Sequence, residues 1–387
     1  MIHKFFGGRV ILGNTFAPDG VAVYTKGEKI IAVTCDELPF DVAHDAKGKY
    51  ISPGFIDIHV HGGGGKEFID GDEESFLFIA ELHAKHGTTT LLPTASTATT
   101  DEYVAMFETF GKVGRKNEKG AYMPGIHMES PYFSRAQTGA QGSLIRDFDK
   151  EEYTMLIDRY GELINRWSAA PELPGADEFA SACREAGIKM SIGHSDAEYD
   201  RVMEAYDLGF ECVTHLYSCT STVHRKNAYR YAGIVEAAYM IDGMDVEIIA
   251  DGKHLPSSLL KFVVKHKGLD RVAVITDATR CAGLPDGAEK MFENPNFIIE
   301  DGVAKLPDRS AFSGSVCTTN RLVRNMINLA ELPLLDAVRL ATVNPARMAG
   351  LSGRGVIRKG AYADIVVFDD NIDISLTMVN GNVVFEK

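Results

Sequence analysis

The chain has 387 residues, 45% of them hydrophobic, with a formal net charge of −14. That length suits one large domain with a smaller one and a sizeable core. The acidic balance argues against a nucleic-acid groove or an anionic membrane surface as partner, though a local basic pocket could still take a small anionic substrate. The six cysteines, Cys35, Cys183, Cys212, Cys219, Cys281 and Cys317, form no Cys-x-x-Cys pair and read as free thiols of a reducing compartment. The stretch Met1–Arg9 has no signal-peptide core, and no segment is apolar for long enough to span a bilayer, so a cytoplasmic location is expected.

Residues 1–52 read as short strands with glycine turns, among them 9–12, 21–24 and 29–33, the last two joined at Lys26-Gly27. The far end is similar: strands at 364–368, 377–379 and 383–385, with Asn380-Gly381 as a hairpin turn. Both ends are therefore expected to build one small β domain, residues 1–52 with 350–387, into which residues 53–349 are inserted. That middle alternates strand and helix. Apolar runs lie at 54–60, 88–94, 125–129, 167–171, 189–194, 212–216, 246–250 and 272–276, with helical patterns at 73–86, 151–163, 177–186, 197–208 and 255–265. Eight βα units in about 290 residues predict a (β/α)8 barrel. A doubly wound open sheet is the competitor, and no GxGxxG or Walker loop favours it.

Barrel enzymes draw their reacting groups from the C-terminal ends of the strands. Here those ends carry His59 and His61 (first strand), Glu129 (third), His194 (fifth), His215 (sixth) and Asp277 (eighth), with His254 in the loop after the seventh. His59 and His61 are two apart and share a face of their strand. One such residue is more often a cap or a hydrogen-bonding group than a ligand; all of them together predict metal. Glu129, His194 and His215 make an N2O site. His59 and His61 with Asp277 can hold a second ion, Glu129 bridging, and two ions can turn water into a nucleophile near neutral pH. Asp277 is placed to carry a proton from that water to a leaving amine, and His254 to polarise a carbonyl. His127 is expected to support the ligands, His83 and His86 to be surface or packing residues, and Gly62–Gly65 to be a turn whose amides could hold an anion. The donors suit zinc or iron, with cobalt or manganese as further candidates.

These motifs, together with Pro53-Gly54-Phe55-Ile56-Asp57, Ala170-Pro171-Glu172, Ser313-Gly314-Ser315, Asn344-Pro345-Ala346 and Gly360–Asp364, run almost end to end. In that order they resemble the N-acetylglucosamine-6-phosphate deacetylases of the amidohydrolase superfamily. The resemblance implies a distorted (β/α)8 barrel with a small β-sandwich from both termini, removal of an acetyl group from an amino-sugar phosphate, two ions per chain and a homodimer. It gives Glu129, His194 and His215 as main ligands, Asp277 as acid/base and His254 as a substrate contact.

Three places depart from the family pattern. Ser218-Cys219 stands where the family has Asn-Ala, Gln141 stands where a sugar-facing histidine is usual, and the basic loop reads His224-Arg225-Lys226-Asn227-Ala228-Tyr229-Arg230. Gln141, Ser218, Cys219, Arg225, Lys226 and His254 are thus the expected substrate-binding residues. The departures leave the sugar open: N-acetylgalactosamine 6-phosphate, an unphosphorylated acetamido sugar or a cyclic amide are alternatives. A non-catalytic barrel is disfavoured, because all six ligand and acid/base positions are kept.

Overall fold

A computed structural model describes residues 1–114, 117–292 and 296–387. Its centre is a sheet of eight parallel strands in sequential order: Phe55–Val60, Thr88–Ala95, Ile126–Glu129, Ile164–Ala169, Lys189–Ile192, Phe210–Val213, Asp245–Ile249 and Val272–Ile275. All eight expected strands form. The fourth starts earlier than its apolar run, because Asn165 and Arg166 interrupt the hydrophobic pattern although Arg166 still pairs with His127 and Lys189 on either side. Phe55–Val60 and Thr88–Ala95 are buried along their whole length, as expected for parallel strands covered on both faces.

The first and eighth strands meet only at their C-terminal ends. One parallel bridge joins Val60 to Ala278, and Asp277 N donates to His59 O at 3.0 Å. Lower down, the Asp57 carboxylate takes over the ladder's role: its Oδ1 accepts from Thr276 N at 3.2 Å and His59 N at 3.3 Å. The sheet is thus a distorted (β/α)8 barrel, drawn shut at the end where the predicted ligands lie. Helices Glu73–Ala84, Lys150–Tyr160, Ala176–Glu185, Tyr199–Asp207 and Ser257–Lys267 cover it, close to their predicted bounds. Their starts carry local caps: Asp72 accepts from Ser75 N, and Asp149 from Glu151 N and Glu152 N.

The termini form two further sheets. One holds Ile2–Phe6, Ala22–Lys26, Lys29–Thr34 and Val42–Asp45. The other interleaves both ends of the chain: Arg9–Val10, Tyr50–Pro53, Ile365–Phe368, Ile374–Val379 and Asn382–Glu386. Their inner faces share a core that includes Phe5, Val23, Ile30, Ile51, Ile365, Val367 and Met378, so this unit is a β-sandwich built from both termini. The Asn380-Gly381 hairpin turns with φ of 47° and 78°; a Cβ on Gly381 would lie 1.8 Å from Gly27 O in the other hairpin turn. Tyr50–Pro53 runs through Gly54 straight into the first barrel strand, so the sandwich anchors the strand that carries His59. No helix among the described residues is long and apolar enough to cross a membrane.

Candidate metal centre

Each predicted ligand arrives by the same route: an apolar strand holds the backbone, and the strand end aims the side chain inward. His59 lies within the first strand and His61 just past it, Glu129 ends the third, and His194, His215 and Asp277 each sit two residues beyond the fifth, sixth and eighth. Those last three adopt φ of 47°, 32° and 46°. A left-handed backbone costs a non-glycine residue on the order of 1–3 kcal/mol, and such strain gathers at functional sites. Here it turns all three side chains toward the barrel axis.

The six side chains form one cluster around Glu129. Its Oε1 is 2.7 Å from His215 Nε2 and 3.1 Å from His194 Nε2. Its Oε2 is 3.2 Å from His61 Nε2 and 3.6 Å from His59 Nε2. Asp277 Oδ1 lies 3.2 Å from His61 Nε2 and 3.4 Å from His59 Nε2. Two buried ligand groups result, each with donor atoms within 4.8 Å of one another: His59, His61 and Glu129, then Glu129, His194 and His215.

The other edges of the rings fix what these nitrogens can do. His194 Nδ1 is 2.8 Å from Gln137 O and His215 Nδ1 is 3.1 Å from Ser218 O. A carbonyl only accepts, so both Nδ1 atoms carry hydrogen and both Nε2 atoms present lone pairs to the cluster. His59 Nδ1 faces Glu247 Oε2 at 3.4 Å, and His61 Nδ1 meets Ser96 Oγ at 3.0 Å. Four Nε2 atoms and two carboxylates facing one another need positive charge between them, and the donor set fits zinc-type or iron-type divalent ions. The electrostatics express the same need. Burial opposes charge on His59 and His61, yet Glu129 and Asp277 outweigh it and hold their pKa values at about 10 and about 9. Burial pushes Glu129 up, but His59, His194 and His215 pull it well below the usual carboxylate range.

Beneath the cluster lies a buried polar layer that sequence reasoning missed. Arg166 and Glu247 pair inside the barrel, and Glu247 backs His59. For Glu247 the signal was available: it is the single charged residue of the apolar run 246–250. His127, expected to support the ligands, bonds Ser168 Oγ through Nε2 at 2.7 Å and sets its ring edge-on to His59, 4.7 Å between centroids. Burial and Arg166 hold its pKa well below the usual imidazole value, so it supports as a neutral ring. His83 is a fully buried packing residue, its Nε2 on Gly62 O at 3.0 Å. In the Gly62–Gly65 turn three amides are already engaged: those of Gly62, Gly64 and Gly65 donate to the backbone carbonyls of Ala278, Ala282 and Arg280 respectively.

The cluster opens into a cleft of about 750 Å³ lined also by Gln141, Ser218, Cys219 and His254, four of the six expected substrate-binding residues. Asp251 holds His254 through Nδ1 at 2.8 Å. Arg225 and Lys226 do not line it. Asn227 and Ala228, at φ of 50° and 73°, fold that segment into an exposed hairpin, His224–Lys226 with Tyr229–Tyr231, and Lys226 points to Glu198. Residues not anticipated along the cleft include Ser96, Thr97, Arg280 and Phe312.

Residues 50–384 match the model of the Amidohydrolase family. The chain belongs to that family. An N-acetylglucosamine-6-phosphate deacetylase of Lysinibacillus sphaericus is 30% identical, over 88% of this chain and 86% of its own length. An N-acetylgalactosamine-6-phosphate deacetylase of Escherichia coli O157:H7 is 27% identical over 91% of this chain and 92% of its own. Among solved structures, a variant N-acetyl-D-glucosamine-6-phosphate deacetylase of Mycobacterium smegmatis in complex with N-acetyl-D-glucosamine-6-phosphate superposes with a TM-score of 0.88 at 28% identity, covering 100% of this chain and 99% of that one. Within the amidohydrolases the chain therefore stands in the N-acetylglucosamine-6-phosphate deacetylase branch, and it is an enzyme that hydrolyses carbon–nitrogen bonds.

Proposed function

We propose that the protein removes the acetyl group from an N-acetylated amino-sugar phosphate, taking N-acetylglucosamine 6-phosphate to glucosamine 6-phosphate and acetate. The observation that carries this is the pair of buried histidine groups sharing Glu129 at the floor of a sugar-sized cleft, with Asp277 beside both His59 and His61. Glu129, His194 and His215 would hold one divalent ion, and His59, His61 and Asp277 together with Glu129 would hold another, zinc or iron in each. Such ions supply Lewis acidity and a low-pKa water. The chain's own residues do the rest. Asp277, whose pKa is lowered by His59 and His61 against the effect of burial, is ionised at neutral pH and accepts the proton of the attacking water, then returns it to the departing sugar nitrogen. Asp251 fixes the His254 ring at the cleft wall, where it meets the acetamido group or a sugar hydroxyl. The same reading takes the protein as a cytoplasmic homodimer.

A second sugar keeps a place in this reading because of one observation. Arg280 is the sole lysine or arginine among the described residues lining the cleft, and Glu67 and Asp70 already engage it at 2.8 and 3.2 Å. That favours an unphosphorylated acetamido sugar over a phosphosugar clamped by this chain alone. Acetate release across N-acetylhexosamines with and without 6-phosphate is the test. No release from any of them would sink the deacetylase reading; equal rates without phosphate would remove the phosphosugar assignment.

A further inference from the structure

Gln141 follows Gly139-Ala140 on a cleft-lining loop, and its side chain spans from Thr97 to Glu129. Its Oε1 accepts two hydrogen bonds from Thr97, from the backbone N at 3.0 Å and from Oγ1 at 2.8 Å. A backbone N–H can only donate, so the amide's orientation is settled and its NH2 group must face the other way. There Nε2 donates to Glu129 Oε2 at 2.6 Å. The two oxygens of Glu129 are thereby made unequal: Oε1 faces His194 and His215, while Oε2 faces His59 and His61 and also takes the Gln141 hydrogen bond. The segment that anchors Gln141 also supplies Ser96 to His61 Nδ1 at 3.0 Å. One stretch after the second barrel strand therefore orients two members of the same histidine–carboxylate group. The loop's approach depends on Gly139, where a Cβ would lie 2.6 Å from Cys219 Sγ.

We propose that Gln141 is a positioning residue for the metal centre: through the chain Thr97–Gln141–Glu129 it holds the Glu129 carboxylate turned so that one oxygen serves each histidine pair, and so maintains the His59/His61 position. This rests on the two-ion reading above and deepens it. A carboxylate is free to rotate about its last bond, and both oxygens of Glu129 could swing to the His194/His215 side. The Gln141 donor opposes that swing at the one oxygen the His59/His61 side uses. Partners of metal ligands are worth about 10–100-fold in metal affinity or activity.

The test uses the apo-protein and cobalt(II), followed by visible absorption and calorimetry, for wild type, Gln141→Met and Thr97→Val. Met keeps the length of Gln141 and removes the donor. Thr97→Val removes one of the two anchors and leaves the backbone N. Wild type takes up two equivalents. In Gln141→Met the second equivalent binds about tenfold or more weakly while the first is little changed. Thr97→Val shifts the second equivalent in the same direction by less. After reconstitution kcat falls and KM stays near the wild-type value, and the apo-protein's melting midpoint is unchanged. A raised KM with both equivalents bound as in wild type would mean that Gln141 reads the sugar, and would overturn the proposal alone. A wild-type protein that takes up one equivalent or none would overturn the two-ion reading, and the proposal with it.

Discussion

Glu247 Oε2 lies 3.4 Å from His59 Nδ1, with neither residue exposed to solvent, and Arg166 holds the other side of the same carboxylate. A carboxylate behind a ligating imidazole fixes its tautomer and raises its basicity. Glu247 remains ionised in spite of burial because Arg166 and His59 draw its pKa down. The barrel interior thus holds a charged pair in contact with one ring of the cluster.

Replacing Glu247 by Gln keeps the shape and deletes the charge. Arg166 is then a buried cation with no counter-ion, a change that typically costs about 3–5 kcal/mol. Chemical denaturation reads that loss, and cobalt titration reads an affinity for the His59/His61 ion lower by about 10–100-fold. The paired variant Arg166→Met with Glu247→Met recovers much of the stability and none of the metal affinity. A Glu247→Gln protein as stable as wild type, with full metal content, contradicts this account.

Metal uptake is expected to release protons. With no ion, Glu129 and Asp277 keep His59 and His61 protonated at neutral pH, since their pKa values stand at about 10 and about 9. A ligating imidazole must be neutral, so each ion bound there displaces protons, and affinity rises as pH is raised toward those values. Calorimetric titration of the apo-protein in buffers of different ionisation enthalpy counts the protons. An affinity flat with pH, with no proton released, would refute this.

The candidate site residues were legible because barrels place chemistry at strand ends and because histidine, glutamate and aspartate are uncommon inside apolar runs. His59, His61, Glu129, His194, His215 and Asp277 could be read from type and position, and the structure brings all six together. What joins residues through loops was not legible. Arg225 and Lys226 have the composition of an anion site, yet a tight turn at Asn227-Ala228 leaves them on an exposed hairpin. Gln141 reads as a substitution for a sugar-facing residue, and only the path of its loop past Thr97 turns it onto Glu129. Arg166 hid the start of its own strand, because a charge that is paired across the barrel looks, in one dimension, like the end of an apolar run.

His83 gives a stability test away from the chemistry. Burial, with His86 nearby, lowers its pKa to about 4. The unfolded chain, at about 6.5, binds this proton between pH 6.5 and 4 while the folded protein does not. Stability is therefore present above pH 6.5 and falls as pH drops through that window, by roughly 3 kcal/mol in all. His83→Gln retains a donor for Gly62 O and removes the titration. Urea melts of both proteins from pH 7 to 4 should show a steeper loss in wild type. The His59 and His61 titrations are common to both and cancel in the difference. Parallel curves would show that His83 is not neutral in the fold.

Asp277→Asn separates proton transfer from metal binding. Asn preserves the size of the side chain and keeps an oxygen for His59 and His61, which Asp277 meets at 3.4 and 3.2 Å. It cannot accept a proton. An ion held by Glu129, His194 and His215 would not involve this residue, so at least one equivalent per chain should persist by elemental analysis. Loss of a positioned acid/base typically costs about 10²–10⁴-fold in rate, so kcat for acetate release should fall by about two orders of magnitude or more. Ground-state binding uses the cleft walls rather than this carboxylate, and KM should move little. The acid limb of the kcat profile should disappear with the carboxylate that produces it. Near-normal turnover in a metal-loaded Asp277→Asn enzyme would transfer the acid/base role to another group, with His254 the next to test because Asp251 already fixes its ring at the cleft wall.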